Sequence, residues 1–161
     1  MQLSHFSNDP VKLRRRTKQD EPSSKPTGFW VSVDGPCDWP SWCIAEEYSL
    51  GSRRHAIALR RTKRVLVLDS VDAVVAFTEE YRAEPPLTWI ENSWTMDWAK
   101  LANRYAGIII APYQYTLRHD SRTRWYYTWD CASGCIWDTT VIKSVEQVQW
   151  KKPRRRRSTG V

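Results

Sequence analysis

The stretch Trp125–Asp138, W-Y-Y-T-W-D-C-A-S-G-C-I-W-D, constrains the fold more than any other part of the chain. Aromatic and polar residues alternate up to Asp130, Ala132-Ser133-Gly134 gives a turn signal, and a β-prone run continues through Trp137 to Ile142. Period-two alternation around a Ser-Gly turn predicts an antiparallel hairpin. Its first strand would show Trp125, Tyr127 and Trp129 on one face and Tyr126, Thr128 and Asp130 on the other. Asp130 then stands at a strand end among indoles, either as a tuned acid or as a residue that caps the turn.

A chain of 161 residues suffices for one domain with a real core. Ten tryptophans offset a modest apolar content of 41%, because each ring buries a large area. No apolar run is long enough to span a bilayer, and M-Q-L-S-H-F-S lacks the pattern of a signal peptide, so a soluble, cytoplasmic protein is expected. The net charge of +7 is concentrated in the tail Lys151, Lys152, Arg154, Arg155, Arg156 and Arg157; without these the chain nets +1. Such a run either contacts nucleic acid or serves as an address or a solvated tail. The domain is expected to cover residues 1–150, followed by a disordered basic tail over 151–161. Cys37, Cys43, Cys131 and Cys135 have C-x5-C and C-x3-C spacings, not the tight pairs of a zinc knuckle, and are expected as reduced thiols with no metal.

Along the chain, residues 2–7 read as a first strand, and residues 8–27, rich in Lys, Arg, Asp and Pro, read as a mobile basic loop. Residues 28–33 form a second strand. Asp38 caps a helix over about 39–48 with Pro40 in its first turn. His55–Leu59 and Val65–Leu68 predict two strands joined by a basic turn, as a hairpin. Asp69 or Ser70 caps the next helix, which Glu84-Pro85-Pro86 stops. A third helix begins at Thr95 and carries Trp98, Leu101, Ala102 and Tyr105, before a buried strand over Ile108–Ile110. This order predicts an α+β fold with helices around a split antiparallel β-sheet. The absence of G-x-G-x-x-G and Walker A sequences removes two common nucleotide-binding solutions.

Three strand-like segments carry polar residues in a fixed order: L-S-H-F-S with His5 and Ser7, P-T-G-F-W-V-S-V with Gly28, Trp30 and Ser32, and Tyr126-x-Thr128-x-Asp130. This order resembles the ADP-ribosyltransferase superfamily of the diphtheria-toxin-like, H-Y-E kind, although no Glu occupies the third segment. The resemblance covers most of residues 2–142 and implies a split β-sheet with flanking helices. It implies NAD as substrate, with His5 at the adenosine ribose, Trp30 or Tyr126 stacked on nicotinamide and Ser32 at the polar position of the second motif. Asp130 would be the acid, with Asp138 behind it. It further implies transfer of ADP-ribose to a protein or nucleic-acid acceptor, or hydrolysis of NAD. The competing expectation is a non-catalytic nucleic-acid-binding module that uses its basic tail and aromatic surface.

Overall fold

The computed structural model describes residues 1–83 and 95–151. Seven strands among them form one sheet: β1 (Leu3–Ser7), β2 (Phe29–Val33), β3 (Arg53–Leu59), β4 (Val65–Leu68), β5 (Gly107–Ile110), β6 (Ser133–Ile136) and β7 (Ile142–Val148). The order is β4-β5-β6-β2-β1-β3-β7, parallel only between β4 and β5. With three short α-helices, this is a mostly antiparallel α+β fold.

Local chemistry accounts for the helices. α1 (Trp39–Ala45) starts where the Asp38 carboxylate accepts from Ser41 N–H, with Pro40 in the first turn. α2 (Val71–Tyr81) starts at Ser70, whose hydroxyl oxygen accepts from Ala73 N–H. Its Val74, Phe77, Thr78 and Tyr81 are buried at helical spacing. α3 (Trp98–Ala102) is capped by Asp97 and is only five residues long. The third helix expected from Thr95 to Tyr105 is therefore a short one: Met96 instead bridges to Ser23 and Arg82, and Arg104 and Tyr105 close a turn on Leu101. The stop expected at Glu84-Pro85-Pro86 lies outside the described residues.

The core has two parts, one on each face of the sheet. One face packs Leu68, Phe77, Trp98, Trp125, Tyr126 and Trp129 together with α2 and α3. The other collects Leu3, Val31, Ile57, Ile109, Ile136 and Ile142. The middle strands β5 and β6 are buried at every residue. Gly134 is required there, since a Cβ would lie 2.6 Å from the Ile108 carbonyl oxygen.

Two expected hairpins do not form. Residues Ser121–Thr128 are 3-10 turns kinked at Thr123, not a strand. Trp125 and Tyr126 are consecutive yet both fully buried in the same core cluster, whereas a strand would send them to opposite faces of the sheet. The Trp125 indole N–H donates to the Thr78 hydroxyl at 2.8 Å, tying this turn to α2. β3 and β4 are also separated, because β4 pairs with β5 while β3 lies between β1 and β7.

Residues 8–27 contain no regular strand or helix, but they are anchored. Thr17 N–H donates to Trp137 O at 2.8 Å, Ser23 exchanges backbone bonds with Met96, and Gln19 is buried with its side chain bonded to Thr27. One ladder of the sheet is short, that between β1 and β2. It holds only Leu3↔Val33 and Ser4↔Ser32, whereas β1–β3 continues over five pairs. The sheet therefore opens between β1 and β2 from His5 onward.

Candidate functional site

A cleft of about 350 Å³ lies at this opening, and its walls include His5, Lys25, Trp30, Ser32, Trp129 and Asp130. The residues come from β1, the 8–27 segment, β2 and the approach to β6.

His5 spans the opening. Its Nδ1 lies 2.8 Å from the Trp30 carbonyl oxygen. A carbonyl only accepts, so Nδ1 carries the proton and Nε2 of the neutral ring is left as an acceptor. Burial depresses the His5 pKa below its ordinary value of 6.5, the backbone bond to Trp30 opposes this, and nearby His55 adds to the depression. The ring also rests on Phe29, with centroids 4.4 Å apart. Below it, Ser4 Oγ, Arg54 and Asp34 close a hydrogen-bonded triangle: Arg54 donates to Ser4 at 3.0 Å and to Asp34 at 2.8 Å, and Ser4 donates to Asp34 at 3.1 Å. This triangle joins β1, β3 and the end of β2 beneath the cleft.

Trp30 forms an aromatic wall, edge-on to Trp129 at 5.0 Å. Ser32 Oγ accepts the Trp39 N–H at 2.9 Å, which leaves its hydroxyl hydrogen to donate elsewhere. Asp130 has a side chain 24% exposed and one ion-pair partner among the described residues, Lys25 at 3.4 Å. The Lys25 ammonium also sits 5.6 Å from the Trp30 ring centroid. The backbone around Asp130 is held on both sides: Tyr113 Oη donates to Trp129 O at 2.7 Å, and Ser133 Oγ donates to Cys131 O at 3.0 Å. Ser133 is thus engaged with Cys131, and no backbone N–H among the described residues is capped by Asp130.

The capping carboxylate is Asp138. It accepts from Thr140 N–H and its hydroxyl, from Arg64 at 2.6 Å and from Arg16 at 3.3 Å, and it starts a 3-10 turn over Thr139–Val141. Burial alone would raise its pKa, but the hydrogen bonds from Thr140 and Arg64 outweigh this and hold the carboxyl well below the usual range. Asp138 is absent from the cleft walls.

Four of the seven cleft residues expected from sequence, His5, Trp30, Ser32 and Asp130, meet at this site. Three do not. Ser7 Oγ donates to Asp9 O and lies past the cleft. Gly28 faces β6, where a Cβ would stand 2.7 Å from Ile136 O and 2.8 Å from Cys135 Sγ, so it serves strand packing. Tyr126 is wholly buried in the core and its hydroxyl accepts from Gln114 N–H, because the segment is a turn and not the expected strand. Of the tail cations, only Lys151 is described, and it is exposed; Lys152, Arg154, Arg155, Arg156 and Arg157 lie outside the described residues. The sequence reasoning missed Lys25 and Trp39. Nothing in a polar loop singles out one lysine, and Trp39 reads in the sequence only as the start of the helix that Asp38 caps.

None of the four cysteines is in a disulfide, and of the four Cys37 alone is exposed. Burial pushes the Cys131 thiol up to about 12 and raises Cys135 further still, so neither is a thiolate near neutral pH. No group of three or more His, Cys, Asp or Glu among the described residues is arranged to hold a metal ion. No helix among them is long and apolar enough to cross a membrane. No family model, curated protein or solved structure matches the chain.

Proposed function

We propose that the chain is an ADP-ribosyltransferase-like enzyme that binds NAD in the β1–β2 cleft and transfers ADP-ribose to an acceptor. The observation that carries this reading is the convergence of His5, Trp30, Ser32 and Asp130, from three separate segments, where the sheet splits. A volume of about 350 Å³ lies at the lower end of the roughly 300–1,000 Å³ of small-molecule sites. It suits the nicotinamide-ribose half of NAD, with the adenine half extending outward along β1.

Each residue has a task set by its chemistry. His5 Nε2 accepts a hydrogen bond from a ribose hydroxyl. Trp30 stacks on the nicotinamide, which is cationic and planar in NAD. Ser32 donates to the carboxamide oxygen. Asp130 stabilises the positive charge that grows on the ribose as the glycosidic bond breaks. Nicotinamide leaves neutral with the bonding electron pair. An acceptor oxygen or nitrogen then forms the new bond to C1′ and gives its proton to solvent; with water as acceptor the outcome is NAD hydrolysis. Lys25 now stands where that cationic substrate would, over Trp30 and against Asp130, so substrate entry requires it to swing away.

The test is incubation with NAD labelled in both halves. Release of nicotinamide with ADP-ribose retained on an acceptor or freed in solution supports the reading. No release, or release unchanged in both His5→Ala and Asp130→Ala, overturns it.

A further inference from the structure

Two basic runs far apart in the chain, Arg14–Arg16 and Arg60–Arg64, meet at one rim of the molecule. The turn Thr139–Val141 joins them. Thr139 donates through its hydroxyl to the carbonyls of Arg14 at 3.1 Å and Arg15 at 3.3 Å. On its other side, Arg60 N–H donates to Val141 O at 2.8 Å, and Arg60 Nε to Thr140 O at 3.2 Å. Between them Asp138 takes Arg16 and Arg64 together. Every cation of both runs is exposed. Among the described residues, Asp138 is the sole carboxylate ion-paired with either run, and it is itself buried.

A groove continues from this rim, walled by Arg16, Lys18, Arg64, Arg104 and Tyr105. Lys18 and Arg104 are partly neutralised by Asp20 and Glu80, each at 2.7 Å. Arg104 lies over the Tyr105 ring at 5.6 Å. The surface therefore has a strongly positive rim that leads into a concave path lined by Tyr105, with the buried Trp137 behind it.

We infer that this rim and groove bind the phosphate backbone of a nucleic-acid strand. Arginine dominates both runs, and its planar fork matches phosphate oxygens better than a lysine point charge does. Asp138 holds two of these guanidinium groups in place, which reduces what ordering them on binding would cost. A groove admits a strand with a base against Tyr105, whereas a bilayer is flat, and Leu13 is the sole exposed large apolar side chain next to either run among the described residues. The surface is separate from the cleft. It does not rest on NAD chemistry, because binding is measured without NAD.

Fluorescence anisotropy of the full chain with a labelled single-stranded oligonucleotide tests this. Binding should weaken at least tenfold between about 50 and 200 mM salt. Two double variants, Arg14→Ser with Arg15→Ser and Arg61→Ser with Lys63→Ser, spare the Asp138 pairs. Each should bind less tightly and lower the salt slope by about 2, one for each lost phosphate contact. If either variant fails to fold, photocross-linking of the unaltered chain to a halogenated oligonucleotide decides: cross-linked peptides should contain residues 12–18, 60–64 or 98–105. Unchanged binding in both folded variants overturns the inference. So do cross-links confined elsewhere, loss of all binding on truncation after Lys151, or tighter binding to vesicles containing phosphatidylserine than to the oligonucleotide.

Discussion

Asp130 and Asp138 lie on the same short stretch of chain, in similar company of Trp and Cys, and the fold gives them opposite situations. Asp138 is 4% exposed and accepts hydrogen bonds from Thr140, Arg64 and Arg16. Its bonding capacity is consumed by holding the 8–27 segment, the β3–β4 connection and the start of β7 together. Asp130 borders an open cleft, and Lys25 at 3.4 Å is its one ion-pair partner among the described residues. A carboxylate satisfied by the protein stabilises structure; one left with free lone pairs beside an aromatic wall is available to a ligand.

That contrast is easiest to break by mutating each acid in turn. Asp130→Asn should lower nicotinamide release from NAD by about a hundredfold or more, the scale of removing one preorganised electrostatic contact. Its unfolding free energy, measured in urea, should stay within about 0.5 kcal/mol of the unaltered chain, as for a surface change. Asp138→Ala should do the reverse. Loss of a cap and of several hydrogen bonds should cost about 2 kcal/mol in the same urea titration, while nicotinamide release per folded molecule holds steady. If instead activity collapses in folded Asp138→Ala, the division between the two acids is wrong.

A smaller effect is expected from Lys25→Met. On the proposed function the Lys25 ammonium, which now holds Asp130 and Trp30, competes with a cationic substrate, so its removal should lower the KM for NAD, by up to about fivefold if the pair is worth 0.2–1 kcal/mol. A raised KM would make Lys25 a substrate contact and not a competitor. The smallest effect is on pH dependence. A base whose folded pKa is depressed stays neutral as the pH falls past its ordinary value, so its stabilising contribution is full above 6.5 and is lost toward the lower folded value. NMR titration of the imidazoles should place the His5 midpoint below 6.5, with NAD affinity flat down to that midpoint and declining beneath it. A midpoint at or above 6.5 would mean His5 is not the neutral acceptor described.

How far the sequence reached follows the same line between local and non-local causes. The Asp38 and Ser70 caps, the α2 spacing and strands β1, β2 and β5 are local signals, and each matches the structure to within a residue or two. His5, Trp30 and Ser32 were legible because they lie on those well-signalled strands. The hairpin at Trp125–Thr128 failed because rings of both parities enter one cluster there, Trp125 against Phe77 and Trp98 of α2 and α3 and Tyr126 against Tyr113 and Trp129. Alternation alone cannot weigh such a partner. The β3–β4 hairpin failed for a related reason. Two apolar runs separated by a basic turn say nothing about whether β5 offers one of them a parallel edge. Lys25 and the convergence of Arg14–Arg16 with Arg60–Arg64 were invisible because both depend on how the 8–27 segment lies across the body.

The most direct measurement of the central claim is a crystal structure of the chain with NAD. The account predicts nicotinamide stacked on Trp30, Lys25 displaced from Asp130, a ribose hydroxyl donating to His5 Nε2 and the Asp130 carboxylate beside C1′. NAD bound away from the β1–β2 cleft, or a cleft that retains the Lys25–Asp130 pair at saturating NAD, would contradict it.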